Sequence, residues 1–407
     1  MAVLRYGVDS SVHLELADEQ RLTPSDTPRG TPLSDPAATL TAMLESPLDY
    51  PPLARSTTPG DRVVLALDRD LPRAAEITAV VVDALIHAGI DPDGITILRR
   101  RTELDDGQGD PCRLLAEPVR QRITLVTHAP ADRERLAYLA ANQAGEPILV
   151  HRAMHDADLV LPIGCLRAES AAGYFGIHGV VSPTFSDLAT LQRYRSPETL
   201  EGNGKRQKRL SDDADNVAWL LGVQFTIQLV PGVGDAILHV LAGQSESVRC
   251  RGRELYAAAW GCSAPAGASL VVAAIEGGRS QQTWENFGRA LDAAGRLVED
   301  DGSIAICCDL EGPLGPAMRY LASTPSQETA LRRIRRECPP DALPAAMLAR
   351  TLQRSKVYLL SRMDPSLVED LDMIPVAAPE ELTRLARHHE SCILLADAPH
   401  VVVGVER

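Results

Sequence analysis

Between residues 61 and 98 the sequence leaves little choice of architecture. Residues 62–68 (RVVLALD) are a near-continuous apolar run of strand length ending on an acid, Asp68. Residues 74–88 then carry apolar side chains at helical spacing and stop at Gly89, and residues 94–98 (GITIL) form a second apolar strand. A strand, a helix and a strand in that order make a βαβ unit, which demands two parallel strands and a right-handed crossover. Asp68 falls where the first strand hands over to its helix, the end at which such sheets hold ligands.

The rest of the chain extends this pattern. Residues 3–16 alternate and predict an opening hairpin; residues 23–59 are rich in Pro, Ser and Thr and read as connection with a short helix near 37–45. After the polar loop at 99–111, a helix is expected over 112–120 and a strand over 123–128, with 148–150 and 159–163 continuing the sheet. A helix at 185–193 follows, then a charged stretch at 197–216 that reads as solvated loop and helix start. Then come a helix at 217–221, strands at 225–230 and 236–241, and a helix at 251–262. The segment SAPAG at 263–267 breaks the composition. Beyond it strands (269–275, 303–308, 356–361, 392–396) again alternate with helices (281–298, 379–389). The expected fold class is therefore α/β: two α/β domains, 1–264 and 265–407, with mostly parallel sheets and a ligand cleft between them.

Composition narrows the function. A formal charge of −14 with no basic tract argues against binding a nucleic-acid backbone. No apolar run approaches the roughly 18 residues of a membrane span, and the N-terminus lacks a signal-peptide layout. Eight cysteines without CxxC spacing fit buried, reduced thiols in the cytoplasm better than a zinc knuckle or redox pair. The expected partner is a small-molecule substrate or anion.

The densest candidate site is residues 158–183. A buried strand ends at Gly164, and a small-residue segment carries Gly173, Gly176 and Gly179 around Tyr174, Phe175 and His178. Glycines at that density let backbone take positive φ and approach a ligand. Glu169, Ser170, Tyr174 and His178 are the polar groups within reach; a tight crossover loop with a surface histidine is the plain alternative. Gly277-Gly278 stand after the first strand of the second half and open a helix, as an anion site or simply a turn. His151, His155 and Asp158 have metal-ligand spacing for a helix, but a solvated turn is the better reading of so short a segment. His128 ends a strand and is expected to be satisfied by its own loop; His388-His389 suit a helix C-terminus. Neither GxSxG nor a Walker A loop occurs.

Taken together, these residues resemble the lactate racemase family, whose members use a nickel-pincer nucleotide. The likeness is carried by THAPAD at 127–132, GEPILVHRAMHDADLVLPIG at 145–164 and AGYFG at 172–176 with Pro183. DNVAWLLGVQFTIQLV at 215–230 and QQTWENFGRAL at 281–291 extend it over nearly the whole chain. The resemblance implies two α/β domains closing on the cofactor, with a lysine tethering it and histidines serving the nickel and the substrate hydroxyl. This chain departs from that set. The tethering lysine falls on Gly179, one histidine on Glu169 and a later one near Arg195. RRRTE at 99–103 has no histidine, Asp-x-x-Arg-Pro reads Asp68-Arg69-Asp70-Leu71-Pro72, and Tyr-Gln-x-x-Lys reads Trp284-Glu285-Asn286-Phe287-Gly288.

The resemblance thus implies a racemase or epimerase of a 2-hydroxy acid, with nickel-pincer nucleotide held non-covalently. His178, Glu169 and Tyr174 are the catalytic candidates and His178 the metal ligand. Asp68, Gly173, Gly176, Gly179, Gly277, Gly278, Gln282 and Glu285 are the cofactor-binding candidates, and Arg195 is the carboxylate clamp. The alternative is an inactive homologue binding a small anion or nucleotide in the same cleft.

Overall fold

The structure is a computed structural model that describes residues 2–405 except 21, 23–27, 70, 101–108, 143–144, 202–203 and 265–266. The polar loop expected at 99–111 lies largely outside the described residues. The chain opens with the hairpin β1 (Ala2–Tyr6) and β2 (Ser10–Leu14), followed by α1 (Pro36–Glu45). The expected βαβ unit is present as β3 (Val63–Leu67), α2 (Ala74–His87) and β4 (Ile95–Arg100), with β3 and β4 parallel. Next come α3 (Glu117–Arg120), β5 (Thr124–His128), β6 (Leu136–Ala141), β7 (Pro147–His151), α4 (Arg152–His155) and β8 (Leu159–Cys165). After the glycine loop come α5 (Leu188–Arg195), α6 (Lys205–Leu220), β9 (Phe225–Pro231), β10 (Ile237–Gln244) and α7 (Ser245–Trp260).

These strands build a six-stranded sheet in the order β10-β9-β8-β3-β4-β5, parallel except for β9 against β10. β3 is buried along its whole length because both faces of the sheet are covered. Val63, Leu65 and Leu67 pack towards α1 and α2; Val64 and Ala66 pack towards Val217 and Ala218 of α6 and Phe185.

The second half gives β11 (Gly261–Ala264), β12 (Ala268–Ala274), α8 (Trp284–Gly295) and β13 (Val298–Cys307). It continues with α9 (Pro316–Ser323), α10 (Gln327–Glu337), α11 (Ala342–Leu352), β14 (Lys356–Leu360), α12 (Pro365–Asp370) and β15 (Ile374–Val376). It ends in α13 (Pro379–Arg387), β16 (Cys392–Leu395) and β17 (Val402–Val405). Its sheet, β15-β14-β13-β12-β16, is wholly parallel. The fold is α/β with two mostly parallel sheets. No helix among the described residues is long and apolar enough to cross a membrane.

Four sequence expectations change. The hairpin β1–β2 packs not on the first sheet but on the second, with Leu4, Tyr6, Val12 and Leu14 against Leu270, Val272 and Ala274. Packing therefore groups residues 2–14 with the C-terminal half, in contrast to a division at 264/265. Residues 148–150 do not continue the sheet; β7 pairs antiparallel with β6 in a separate hairpin, a partner that an apolar run cannot specify. Of the helix expected at 112–120 only 117–120 is helical. The charged stretch at 197–216 is mostly helix, because Leu210, Ala214, Val217 and Ala218 give α6 one buried face.

Candidate functional site

The glycine loop leaves β8 and is set by α6. Gln207, Ser211 and Asp215 are spaced four apart and so share one helix face. Gln207 Nε2 shares its hydrogens among the carbonyls of Glu169, Ala171 and Tyr174, each at 2.9 Å. Gly176 has φ 75° and ψ −177°, and a Cβ there would lie 2.9 Å from Ser211 Oγ. Asp215 meets His178 Nδ1 at 2.8 Å and grips Arg249 with both oxygens, each bond 2.7 Å. Burial would raise the Asp215 carboxyl, but its bonds to His178 and Arg249 outweigh that and hold it below the usual range.

Beneath the loop lies a cavity of about 130 Å³. Arginines at or just past the carboxyl ends of three parallel strands reach it: Arg69 after β3, Arg100 at the end of β4 and Arg167 after β8. Arg195 comes from the last turn of α5, while Glu285 and Arg289, four apart on α8, close it from the second sheet's side. Arg69 is paired with Glu285 across the two halves. Burial would raise Glu285, yet Arg69 and Arg289 overcome it and keep the carboxyl ionised. Arg289 donates through Nε to Ala172 O at 3.2 Å and through Nη1 to Asn286 Oδ1 at 2.9 Å.

Arg195 differs from the others. Among the described residues it makes no hydrogen bond or ion pair. Burial, and then the like charge of Arg100, pushes it down to about 10 despite the opposing pull of Glu285. Tyr174 is half-buried, and burial followed by the charge of Asp68 pushes its phenol above the usual range.

The structure brings seven of the expected residues onto this one cavity: Asp68, Gly173, Tyr174, Gly176, Gly179, Arg195 and Glu285. It does not place the other five there. His178 is buried against Asp215 and absent from the wall, so it is not poised as a base or metal ligand for the cavity. Glu169 is exposed, paired with Arg253 at 2.8 Å, and borders an adjoining open cleft of about 1500 Å³ that shares Arg167, Tyr174 and Gly176 with the cavity. Gly277 and Gly278 lie off both spaces. Gly277 has φ 94°, a Cβ there would lie 2.8 Å from Gln281 Cγ and 3.0 Å from Gly234 Cα, and its N–H donates to Gly7 O at 2.8 Å. Gln282 is used up internally, donating to the carbonyls of Ile275 and Gly277 and accepting from Asp309 N–H. A close backbone approach explains Gly277 without a ligand.

The histidine trio also disperses. His151 is a buried cap whose Nδ1 accepts from Ala153 N–H, His155 pairs with Asp156, and Asp158 accepts from Arg62 N–H. His128 is not satisfied by its own loop: its Nε2 meets Ser186 O, 58 residues away, at 2.8 Å, and its buried Nδ1 has no partner among the described residues. Arg69, Arg100, Arg167 and Arg289 are the wall residues that sequence reasoning missed. The signal was there: three stand at strand ends and the fourth one turn beyond Glu285.

The wall does not fit a nickel-pincer nucleotide. Among the described residues it offers no histidine and no lysine, Gly179 has no amine to form a tether, and no cluster of three or more His, Cys, Asp or Glu could hold a metal. Five guanidiniums are hard, permanently charged donors that bind oxyanions and not nickel.

Comparison with known proteins agrees with the fold and the resemblance. Residues 6–204 match the lactate racemase N-terminal domain family. The lactate racemase apoprotein from Thermoanaerobacterium thermosaccharolyticum superposes with a TM-score of 0.80 at 18% identity, over 99% of this chain and 100% of that one. A structural-genomics protein from Thermotoga maritima superposes with a TM-score of 0.67 at 12% identity, over 93% of this chain and 99% of that one. No curated protein matches in sequence. Residues 6–204 thus match the lactate racemase N-terminal domain family, and the chain shares the fold of the lactate racemase apoprotein along almost its whole length.

Proposed function

We propose that the protein binds a small organic anion in the arginine-lined cavity, on a lactate racemase fold without the nickel-pincer chemistry. The observation that carries this reading is Arg195, a guanidinium lining the cavity with no hydrogen bond or ion pair among the described residues. A half-buried cation with no hydrogen-bonded counterion among the described residues is costly, and a planar fork of donors matches a carboxylate or phosphate. The reading treats the two sheets as two domains, with residues 2–14 in the second and the cavity between them. All eight cysteines are free and five are buried, which supports a reducing, cytoplasmic location.

A second reading is favoured by Asp68 and Glu285. These carboxylates share the cavity with Arg195, so a clamp and proton acceptors stand together for racemising or epimerising a 2-hydroxy acid. One experiment separates the two. Thermal shift and calorimetry with carboxylates and phosphate, alongside stereochemical exchange of D- and L-hydroxy acids with and without added nickel-pincer nucleotide, should show binding without exchange. Exchange only when the nucleotide is added would carry the second reading. Absence of binding by every anion would end the first.

A further inference from the structure

We propose that His128 and His151 form an acid-sensitive clasp: while both rings are neutral they hold residues 185–188, and through them the start of the helix that carries Arg195, to the ends of β5 and β7. The part given to Arg195 rests on the cavity being an anion site; the clasp itself does not.

The segment leading into α5 is stitched to those strand ends. Phe185 O accepts from His151 N–H at 2.8 Å, Ser186 O accepts from His128 Nε2 at 2.8 Å, and Leu188 N–H donates to Pro130 O at 3.2 Å. Asp187 then caps α5 by accepting from the N–H groups of Ala189 and Thr190. Arg195 is the last residue of that helix, so its place in the cavity wall depends on the segment before it. The far end of α5 has an anchor of its own, Tyr194, whose hydroxyl donates to Leu210 O at 2.9 Å. Opening the clasp therefore frees the start of α5 first.

The partners fix the protonation of each ring. A carbonyl cannot donate, so His128 Nε2 carries a hydrogen and the neutral ring has a bare Nδ1. His151 Nδ1 accepts from Ala153 N–H at 3.2 Å and must be bare, so this ring too carries its hydrogen on Nε2.

Neither ring is built to take a second proton. On His151 it would set one N–H against that of Ala153 and break their bond. On His128 it would put a charged donor on Nδ1, a buried atom with no partner among the described residues. Both residues are only 4% exposed, and the ring centres stand 5.5 Å apart, so a charge on one disfavours a charge on the other. Burial lowers His128; the Ser186 carbonyl opposes that and the charge of Arg100 adds to it. Burial brings His151 down to about 4, with His128 and Arg135 adding and Asp132 opposing. Folded values below the unfolded ones mean that the clasp is complete above the ordinary imidazole value and is lost as pH falls towards the folded one.

Nitrogen NMR of the full chain with labelled histidine, and hydrogen exchange across the acid range, test this. At about pH 5.5, where an exposed imidazole is mostly charged, both rings should be neutral with the hydrogen on Nε2. Between about pH 6.5 and 4.5 the protection factors at residues 185–190 should fall at least about tenfold, before those of β3 and β4 change. The double variant His128→Gln/His151→Asn keeps a donor for Ser186 and a cap acceptor for Ala153 without a titrating ring, and should remove that fall. Should circular dichroism show that it does not fold, His151→Asn alone carries the test and should lessen the fall at least about threefold. Either ring charging near its ordinary value with the segment still protected would overturn the clasp. A fall of equal size in the tested variant, or simultaneous loosening of β3 and β4, would overturn it too. Calorimetry with sulfate, whose charge is constant over this range, reads the effect on Arg195. Sulfate affinity in the wild type, relative to the variant, should drop at least about threefold on the same acidification, and an unchanged ratio would overturn the link to Arg195. Absence of sulfate binding at every pH would count against the anion site, and exchange would still decide the clasp.

Discussion

At the scale of single residues, Asp215 shows why a candidate can be recognised and its role still misread. His178 stands out in sequence as a titratable ring in a glycine loop. Its partner lies 37 positions away inside a charged run with several acids, and nothing local says which acid meets it. The contact turns His178 into a structural anchor between the loop, α6 and Arg249 of α7. The folded-state pKa of Asp215 is lowered, so its stabilisation is in full force above the unfolded value and is lost as pH falls through the folded one. Asp215→Asn should therefore cost roughly 1–3 kcal/mol at neutral pH, since it strands a buried ring and a half-buried guanidinium. Urea denaturation should show that cost shrinking once pH drops below about 4, where the unfolded chain's carboxyl takes up a proton that the folded one still resists. A cost that is constant with pH would mean that the ionised form is not what matters.

At the scale of elements, legibility followed periodicity. β3, α2 and β4 were readable because an apolar run and a helical stripe each have one solution. The strand ends then told where a ligand should sit, and Asp68 and the glycine loop do line one cavity there. Helix α6 was readable only in part. Its buried face is narrow, its exposed faces are crowded with charge, and Gly202 and Gly204 precede it, so the stretch reads as solvated loop with a helix start and not as a long helix. Yet this helix fixes the loop through Gln207, Ser211 and Asp215. Gly176→Ala tests that template. It would place a Cβ on a backbone with φ 75° and against Ser211, at a cost of roughly 1–3 kcal/mol. Hydrogen exchange should quicken at residues 169–178 while the β3–β4 core is unchanged; equal protection throughout would show that the loop does not depend on α6.

At the scale of the whole molecule, the two sheets are not independent bodies joined by a linker. One apolar cluster runs from Leu166, Ile177 and Val230 to Phe287 and Leu291, and the N-terminal hairpin completes the far face of the second sheet. Leu14→Ala, at a fully buried position of that hairpin, should cost about 2–5 kcal/mol. Exchange should then loosen β12 and β13, elements more than 250 residues away, before it loosens the neighbouring α1. The reverse order would return the hairpin to the first half. The sequence by itself determined the alternation of strands and helices, the parallel sheets and the strand ends where chemistry gathers, because periodicity and loop chemistry are local properties. Only the tertiary structure decided which sheet the hairpin covers, that His178 faces Asp215 and not the cavity, and that five arginines from distant segments share one small space. Burial and charge compensation depend on neighbours that the fold alone brings together.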